Sequence, residues 1–176
     1  DVAIVCAGLC NLHEGGSNDR TDIQLPGRQI ELIEAVGKAN PDTVVVLSNA
    51  TPLDMRPWIG HTRAVLETWY NGQESGHALA RVLFGDVNPS GRLPDTFPMR
   101  LEDNPAWGNY PGDGQRVHYA EDILVGYRHY HTRGIEPAFP FGFGLSYTEF
   151  ALTNARLSSD TIGEGQAIEV RVDLEN

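Results

Sequence analysis

Three short apolar runs constrain the fold of this chain more than any other feature. They span residues 2–7, 43–47 and 64–69, and are rich in alanine, valine and leucine. Short runs of this kind, with little polar alternation, are typical of strands buried on both faces of a parallel sheet. The sequence therefore predicts three parallel strands, each joined to the next by a connection that crosses over the sheet.

The connections predict helices against that sheet. Apolar residues recur at helical spacing from about residue 28 to residue 39, where Asn40-Pro41 ends the pattern. A second helix is predicted from about residue 74 to residue 84, with Gly85 as its C-terminal cap. Alternating strands and helices predict an α/β chain: a three-layer α/β sandwich with a mainly parallel sheet, over residues 1–148.

The last part of the chain has a different pattern. From about Glu149 a new alternation begins, and residues 168–174 alternate strictly between apolar and charged side chains. Such alternation predicts a half-buried strand, so residues 149–176 are expected to be the first strands of a separate β-sandwich. A terminal strand needs a pairing partner, and Asp1 stands directly at an apolar run. We therefore expect an interior piece of a longer protein, whose localisation the sequence leaves open.

Charge and hydropathy exclude two classes of partner. The formal net charge is −11 over 176 residues, whereas binding to nucleic acid phosphates needs clustered lysine and arginine. The same charge makes polyanionic sugars poor ligands. No apolar run approaches the roughly 20 residues that a membrane-spanning helix needs. We therefore predict no nucleic acid partner and no membrane span.

The sequence predicts neither a metal site nor a cofactor site. Cys6 and Cys10 form a Cys-x-x-x-Cys pair without a second cluster, and His129 and His131 have no evident third ligand. Cys6 lies inside the first apolar run, where a free cysteine is expected to be buried as a small hydrophobic side chain. The two glycines at 15 and 16 lack the strand, glycine pattern and helix of a phosphate-binding loop, which disfavours a flavodoxin-like cofactor binder.

Polar side chains follow each of the three predicted strands. Because ligands in open parallel sheets bind beyond the carboxyl ends of the strands, this edge is the predicted place for a site or a domain interface. The polar residues of the three loops are Asn11, His13, Glu14, Asp19 and Arg20, then Asn49, Thr51 and Asp54, then Asn71, Gln73 and Glu74.

Three ordered stretches carry a resemblance to a known family. They are Glu14 with Asp19-Arg20 and Leu25-Pro26-Gly27-Arg28-Gln29; residues 69–76 continuing through 83–98; and residues 125–128 followed by 140–148. Together they resemble the second, α/β sandwich domain of glycoside hydrolase family 3, which includes many β-glucosidases and β-xylosidases. The resemblance implies that a fibronectin type III-like domain begins near Glu149. It also implies that the catalytic nucleophile, an Asp, lies in a preceding barrel domain outside this sequence.

The resemblance assigns a role to one carboxyl group. Retaining glycoside hydrolysis uses two carboxyl groups about 5–5.5 Å apart, a nucleophile and a general acid/base. In the family the acid/base is a Glu of this second domain, and Glu14 matches it by position, before the Asp19-Arg20 pair. The family often has a second Glu and then a Gly where this chain has Gly16 and Ser17, so the loop departs from the family pattern there.

The resemblance thus implies the acid/base-bearing domain of a retaining exo-β-glycosidase. Its substrates would be β-glucosides or oligosaccharides with terminal non-reducing β-D-glucosyl or xylosyl residues. Its partner would be the N-terminal barrel of the same parent chain, and the isolated chain would be inactive. A noncatalytic sugar-binding or interdomain packing module is the alternative. An upstream barrel carrying the family's Ser-Asp-Trp motif would support the enzyme, and an unrelated upstream domain would support the module.

Several residues near the predicted site also have ordinary structural explanations. Without the resemblance, Glu14 would be interpreted as a solvated loop carboxylate. Asp19 and Arg20 are expected to form an internal ion pair that braces the loop. Glu74 stands where a helix begins, a position that favours a carboxylate through the helix dipole, and is expected to be a structural or interface residue. The aromatic residues of the irregular segment from Leu101 onward are expected mainly to pin that segment to the domain.

Overall fold

The three apolar runs form one parallel sheet. The computed structural model describes residues 1–16 and 19–176. In it, β1 (Ala3–Gly8), β2 (Thr43–Ser48) and β3 (Ala64–Glu67) lie in the order β1-β2-β3. Both neighbouring pairs are parallel, and the register places Val5 opposite Val45 and Val45 opposite Val65. The predicted parallel sheet is confirmed.

Helices connect the strands as predicted. Helix α1 (Gln29–Ala39) joins β1 to β2, a 3₁₀ turn (Ile59–His61) joins β2 to β3, and α2 (Ser75–Leu83) follows β3. Helix α1 lies against β1, β2 and the 3₁₀ turn. Gly37 permits that contact, because a Cβ at this position would stand 2.0 Å from the carbonyl oxygen of His61.

The core lies between α1, the central strand and the segment that follows α2. Five of its side chains have no exposed surface: Ile33, Val45, Leu47, Trp58 and Phe97. The Phe97 ring lies 5.9 Å from that of Trp69 and 6.2 Å from that of Phe139, measured between centroids. Phe97 and Phe139 also form an antiparallel bridge. Residues beyond α2 therefore complete the hydrophobic core that the sheet begins.

Strand β1 is covered on one face only. Val5 is 7% exposed, whereas Ile4 and Cys6 on the alternate face are both exposed. The prediction that Cys6 is buried is therefore wrong. An apolar run predicts that a strand forms. Which side chains then cover each face of the strand depends on the whole fold.

The third strand ends earlier than the apolar run suggests. Pairing with β2 stops at Glu67, and Trp69 has a φ of +52°, in the left-handed region. Such a conformation is uncommon for a bulky residue and cannot continue a strand. At this turn the Trp69 ring packs against the core, and Tyr70 follows at the sheet edge.

The remaining elements are short. A 3₁₀ turn (Leu101–Asp103) and helix α3 (Tyr127–Arg133) lie in an otherwise irregular segment, and His129 and His131 belong to α3. Strands β4 (Ala151–Leu157) and β5 (Val170–Glu175) form a separate antiparallel pair, exposed at every position. A mainly parallel α/β sheet followed by an antiparallel pair confirms the predicted fold class, while the boundary at residue 148 stays a prediction.

Candidate active site

The loop after β1 is tied to the end of β2. The amide of Leu9 donates to the carbonyl of Ser48 at 2.9 Å. Gly8 stands at a φ of +152°, and a Cβ there would come within 2.0 Å of the same carbonyl oxygen, so only glycine fits. The amides of His13 and Glu14 then both donate to the carbonyl of Cys10, which closes a turn. This turn places the Glu14 side chain at the sheet edge.

The carboxylate of Glu14 joins the loops that follow all three strands. Its Oε1 accepts hydrogen bonds from the amide of Thr51, at 2.9 Å, and from the Thr51 hydroxyl. Its Oε2 accepts from the amide of Ala50 and from the hydroxyl of Tyr70, both at 2.7 Å. The structure thus confirms that the polar loops meet at one edge, and it places Glu14 at their centre.

Hydrogen bonding sets the charge of this carboxylate. Burial raises the pKa of Glu14, but the donors from Thr51, Tyr70 and Ala50 together outweigh it, and the pKa lies below its ordinary value. The same bond to Glu14 is the main cause that raises the pKa of Tyr70 to about 12. At neutral pH Glu14 is therefore ionised in this arrangement, and the protonated Tyr70 hydroxyl donates a hydrogen bond to it.

A second carboxyl group stands behind the first. Asn49, which has no exposed surface, donates through Nδ2 to the Thr51 carbonyl at 3.0 Å and to Glu67 Oε2 at 3.2 Å. The amide of Trp69 donates to Glu67 Oε1 at 3.1 Å. Burial, the largest effect, raises the pKa of Glu67 to about 7, and the nearby charge of Glu14 adds to it. Glu67 is therefore about half protonated near neutral pH.

A cavity of about 700 Å³ opens beside Glu14, within the size range usual for small-molecule sites. Its walls come from the loops after the three strands, from residues 95–105 and from α3. Among the described residues, four carboxyl groups but only one guanidinium line it: Glu14, Asp19, Asp22, Asp95 and Arg20. This charge balance disfavours anionic ligands and suits neutral ones.

Arg20 and Asp19 take partners other than each other. Arg20 donates to the Thr51 hydroxyl at 3.0 Å and to the Gln24 carbonyl at 2.8 Å, and lies 3.8 Å from the carboxylate of Asp22. Asp19 accepts from the hydroxyl of Tyr110 at 3.0 Å and 3.1 Å. The expected Asp19–Arg20 ion pair is thus not formed, although Arg20 still braces the loop.

The other predicted edge residues lie outside this cluster. Asp54 is buried and bound by Gln24 and Arg56. Glu74 precedes α2, is exposed, and accepts from the His77 ring at 2.7 Å, in line with the structural role expected for it. Ser17, where the chain departs from the family pattern, lies outside the described residues.

Two residues of the cluster were not singled out as candidates from the sequence. Tyr70 directly follows the third apolar run, so its position at the same sheet edge was a usable signal. Glu67 lies inside that run, where a charged residue among apolar neighbours is unusual. Of the aromatic residues after Leu101, Tyr110 does pin its segment through Asp19, whereas Tyr119 is 80% exposed.

Within residues 1–16 and 19–176, no group of three or more histidine, cysteine or acidic side chains is arranged to hold a metal ion. Nor does this part of the chain contain a helix with the length and apolar character that crossing a bilayer requires.

A parallel sheet with a polar cavity at the carboxyl ends of its strands defines the general class, an α/β domain that binds a ligand at its loop edge. Comparison with known proteins specifies the family. The glycosyl hydrolase family 3 C-terminal domain matches residues 1–147. The chain belongs to glycoside hydrolase family 3, as its C-terminal α/β domain.

The similar proteins are β-glucosidases. The chain is 48% identical to thermostable beta-glucosidase B of Acetivibrio thermocellus and 51% identical to a beta-glucosidase of Rhizobium radiobacter. It aligns over its whole length but spans only 23% and 22% of these relatives. The crystal structure of the Bifidobacterium adolescentis GH3 beta-glucosidase matches with a TM-score of 0.86 and 42% identity. That match covers 92% of this chain and 24% of the other.

Proposed function

We propose that the chain forms part of the sugar site of a β-glucosidase and that its loop edge faces a barrel domain of the same parent protein. The observation that carries the proposal is the Glu14 carboxylate, which stands beside the cavity in a domain whose named relatives are β-glucosidases. The acidic lining of the cavity suits a neutral sugar. The substrates would be β-glucosides or oligosaccharides with a terminal non-reducing β-D-glucosyl or xylosyl residue.

Within that function, Glu14 is our proposed general acid/base. In the retaining route this group first protonates the leaving oxygen and then, as a carboxylate, activates the water that releases the sugar. The four hydrogen bonds that Glu14 accepts stabilise the carboxylate, which is the form needed for the second step. For the first step Glu14 must hold a proton, so the bonds from Thr51 and Tyr70 have to loosen when barrel and substrate dock.

A second candidate function rests on the same bonds. All four donors to Glu14 are groups of this chain, and its pKa is lowered, as suits a carboxylate that braces three loops. Gly16 also stands where the family often has a second Glu. In this version the domain is a noncatalytic sugar-binding or packing module, and Glu14 holds its shape.

Substitution of Glu14 in the full-length protein separates the two candidates. A general acid matters most for a poor leaving group, because it offsets the negative charge that develops there. If Glu14 is the acid, Glu14→Ala should slow alkyl β-glucosides by about 10²–10⁴-fold and activated aryl β-glucosides far less. Added azide should partly restore turnover of the aryl substrate by replacing water in the second step.

A bracing role gives the opposite pattern. Equal losses on both substrates, without an azide effect, would remove Glu14 from the chemistry and support the module. Glu169→Gln is the control, because Glu169 is an exposed carboxylate next to β5, outside the three loops of the sheet edge, and should leave the kinetics unchanged. The 176-residue chain by itself should show no turnover, since the proposal places the nucleophile in the barrel. Turnover by the chain alone that Glu14→Ala abolishes would refute that placement.

A further inference from the structure

Glu67 is a carboxyl group inside the domain that the proposed function does not use. It is the last residue of β3 and is half-buried. Its two oxygens accept one hydrogen bond each, from the amide of Trp69 and from the side chain of Asn49. A carboxyl group in such a place costs free energy unless hydrogen bonds or protonation compensate its lost hydration.

The contacts of Glu67 lead to Glu14. Asn49 shares its Nδ2 between Glu67 and the carbonyl of Thr51, while its Oδ1 is buried without a partner among the described residues. Two donated bonds therefore fix the orientation of this buried amide, and Glu67 accepts one of them. Thr51, held by the other, donates twice to Glu14 through its amide and its hydroxyl.

We propose that Glu67 is a positioning residue for Glu14, which acts through Asn49 to keep the Thr51 donors against the Glu14 carboxylate. This role rests on the proposed function, in which the Glu14 carboxylate belongs to a sugar site. Glu67 does not line the cavity, but the geometry of Glu14 depends on it.

The charge of Glu67 gives the arrangement a pH dependence. Glu14 from the loop after β1 is the charged group that acts on Glu67, and the other two contacts, the Trp69 amide and the Asn49 side chain, are neutral. Below its pKa of about 7 Glu67 is protonated and does not repel Glu14. Above it, both carboxyl groups are charged, and their repulsion opposes the contacts that hold the loops together. We therefore expect the loop contacts to be best ordered when Glu67 is protonated.

Hydrogen exchange tests the positioning role without any activity. Three variants of the full-length protein are compared with the wild type at pH 6: Glu67→Ala, Glu67→Gln and, as control, Glu34→Gln on the exposed side of α1. Glu67→Ala should speed exchange of the Ala50 and Thr51 amides by about tenfold or more, because these amides lose the support of Asn49. Glu67→Gln has one oxygen that can still accept from Asn49, so its exchange should stay much closer to the wild type than that of Glu67→Ala, and the control should match the wild type. Unchanged exchange in Glu67→Ala overturns the proposal.

The pH profile of activity tests the role of the proton. On an aryl β-glucoside, wild-type kcat/KM should fall as pH rises through about 7, and Glu34→Gln should follow it. Glu67→Gln, which stays neutral, should hold its activity at least one pH unit further. A profile for Glu67→Gln that coincides with the wild type overturns this inference. If the wild type hydrolyses no β-glucoside, the proposed function fails, and the exchange result decides the positioning role by itself.

Discussion

The sheet region and the β4–β5 pair differ in how they are held together. In the sheet region, side chains from α1, β2 and the segment around Phe97 have no exposed surface, and loops far apart in sequence meet at one carboxylate. In the β4–β5 pair every residue is exposed, and its ion pairs, such as Arg156 with Asp173, lie at the surface. Isolated two-stranded pairs are marginally stable in water. Buried packing therefore stabilises the sheet region, whereas the β4–β5 pair gains little from burial.

The largest expected effect breaks the packing of the sheet region. Leu47→Ala removes a side chain with no exposed surface from the central strand, which should lower the free energy of unfolding by about 2–5 kcal/mol. Leu174→Ala makes the same chemical change in β5, where the side chain is 66% exposed, and should cost no more than about 0.5 kcal/mol. Urea unfolding followed by far-ultraviolet circular dichroism, which reports on the backbone of both regions, measures both. Equal effects would show that the two regions are not distinct in packing.

A smaller expected effect is a difference between the two regions in how their stability depends on pH. The pKa of Glu67 is raised in the folded state to about 7 from an ordinary 4.5. The folded state therefore binds this proton more tightly than the unfolded state does. The stability that this proton contributes is fully present below pH 4.5 and is lost as pH rises through 7. Glu67→Gln removes that loss. The free energy of unfolding of this variant, relative to that of the wild type, should therefore increase by about 1–3 kcal/mol from pH 5 to pH 8.

The control for this prediction lies in the other region. Glu169→Gln changes an exposed carboxyl group that pairs with Arg171 near β5. An exposed ion pair is worth about 1 kcal/mol or less, and the difference from wild type should stay nearly constant over the same pH range. Urea midpoints at three pH values decide the comparison. A constant difference for Glu67→Gln as well would mean that Glu67 does not titrate in this range.

The smallest effect sharpens the comparison within the loop edge. Tyr70→Phe removes one of the four donors to Glu14 and should lower the free energy of unfolding by about 1 kcal/mol. Because that bond lowers the pKa of Glu14, its loss should raise this pKa. Carbon-13 NMR titration of the Glu14 carboxyl carbon measures that shift. Tyr119→Phe, at an exposed tyrosine outside the cluster, should change neither quantity.

Much of the fold could be predicted from local patterns. The strands, both main helices and the glycine that ends α2 depend on residues within a few positions of one another, so spacing and chain breakers are enough to place them. Gly85, for example, follows the C-cap residue Phe84 of α2 and has a φ of +80°, as its predicted role at the helix end requires. The gathering of polar loops at one edge also follows from chain order, because parallel strands all end on the same side of their sheet.

The sequence by itself determined the main strands and the two longer helices of this protein, the edge where its candidate site lies and the presence of a carboxyl group there. Only the tertiary structure decided what that carboxyl group meets. The donors to Glu14 are 37 and 56 residues away along the chain, at Thr51 and Tyr70. The partner of Arg20, the exposure of Cys6 and the proton on Glu67 were decided in the same way. Hydrogen-bond partners and burial depend on which distant segments meet, and no local pattern contains that information.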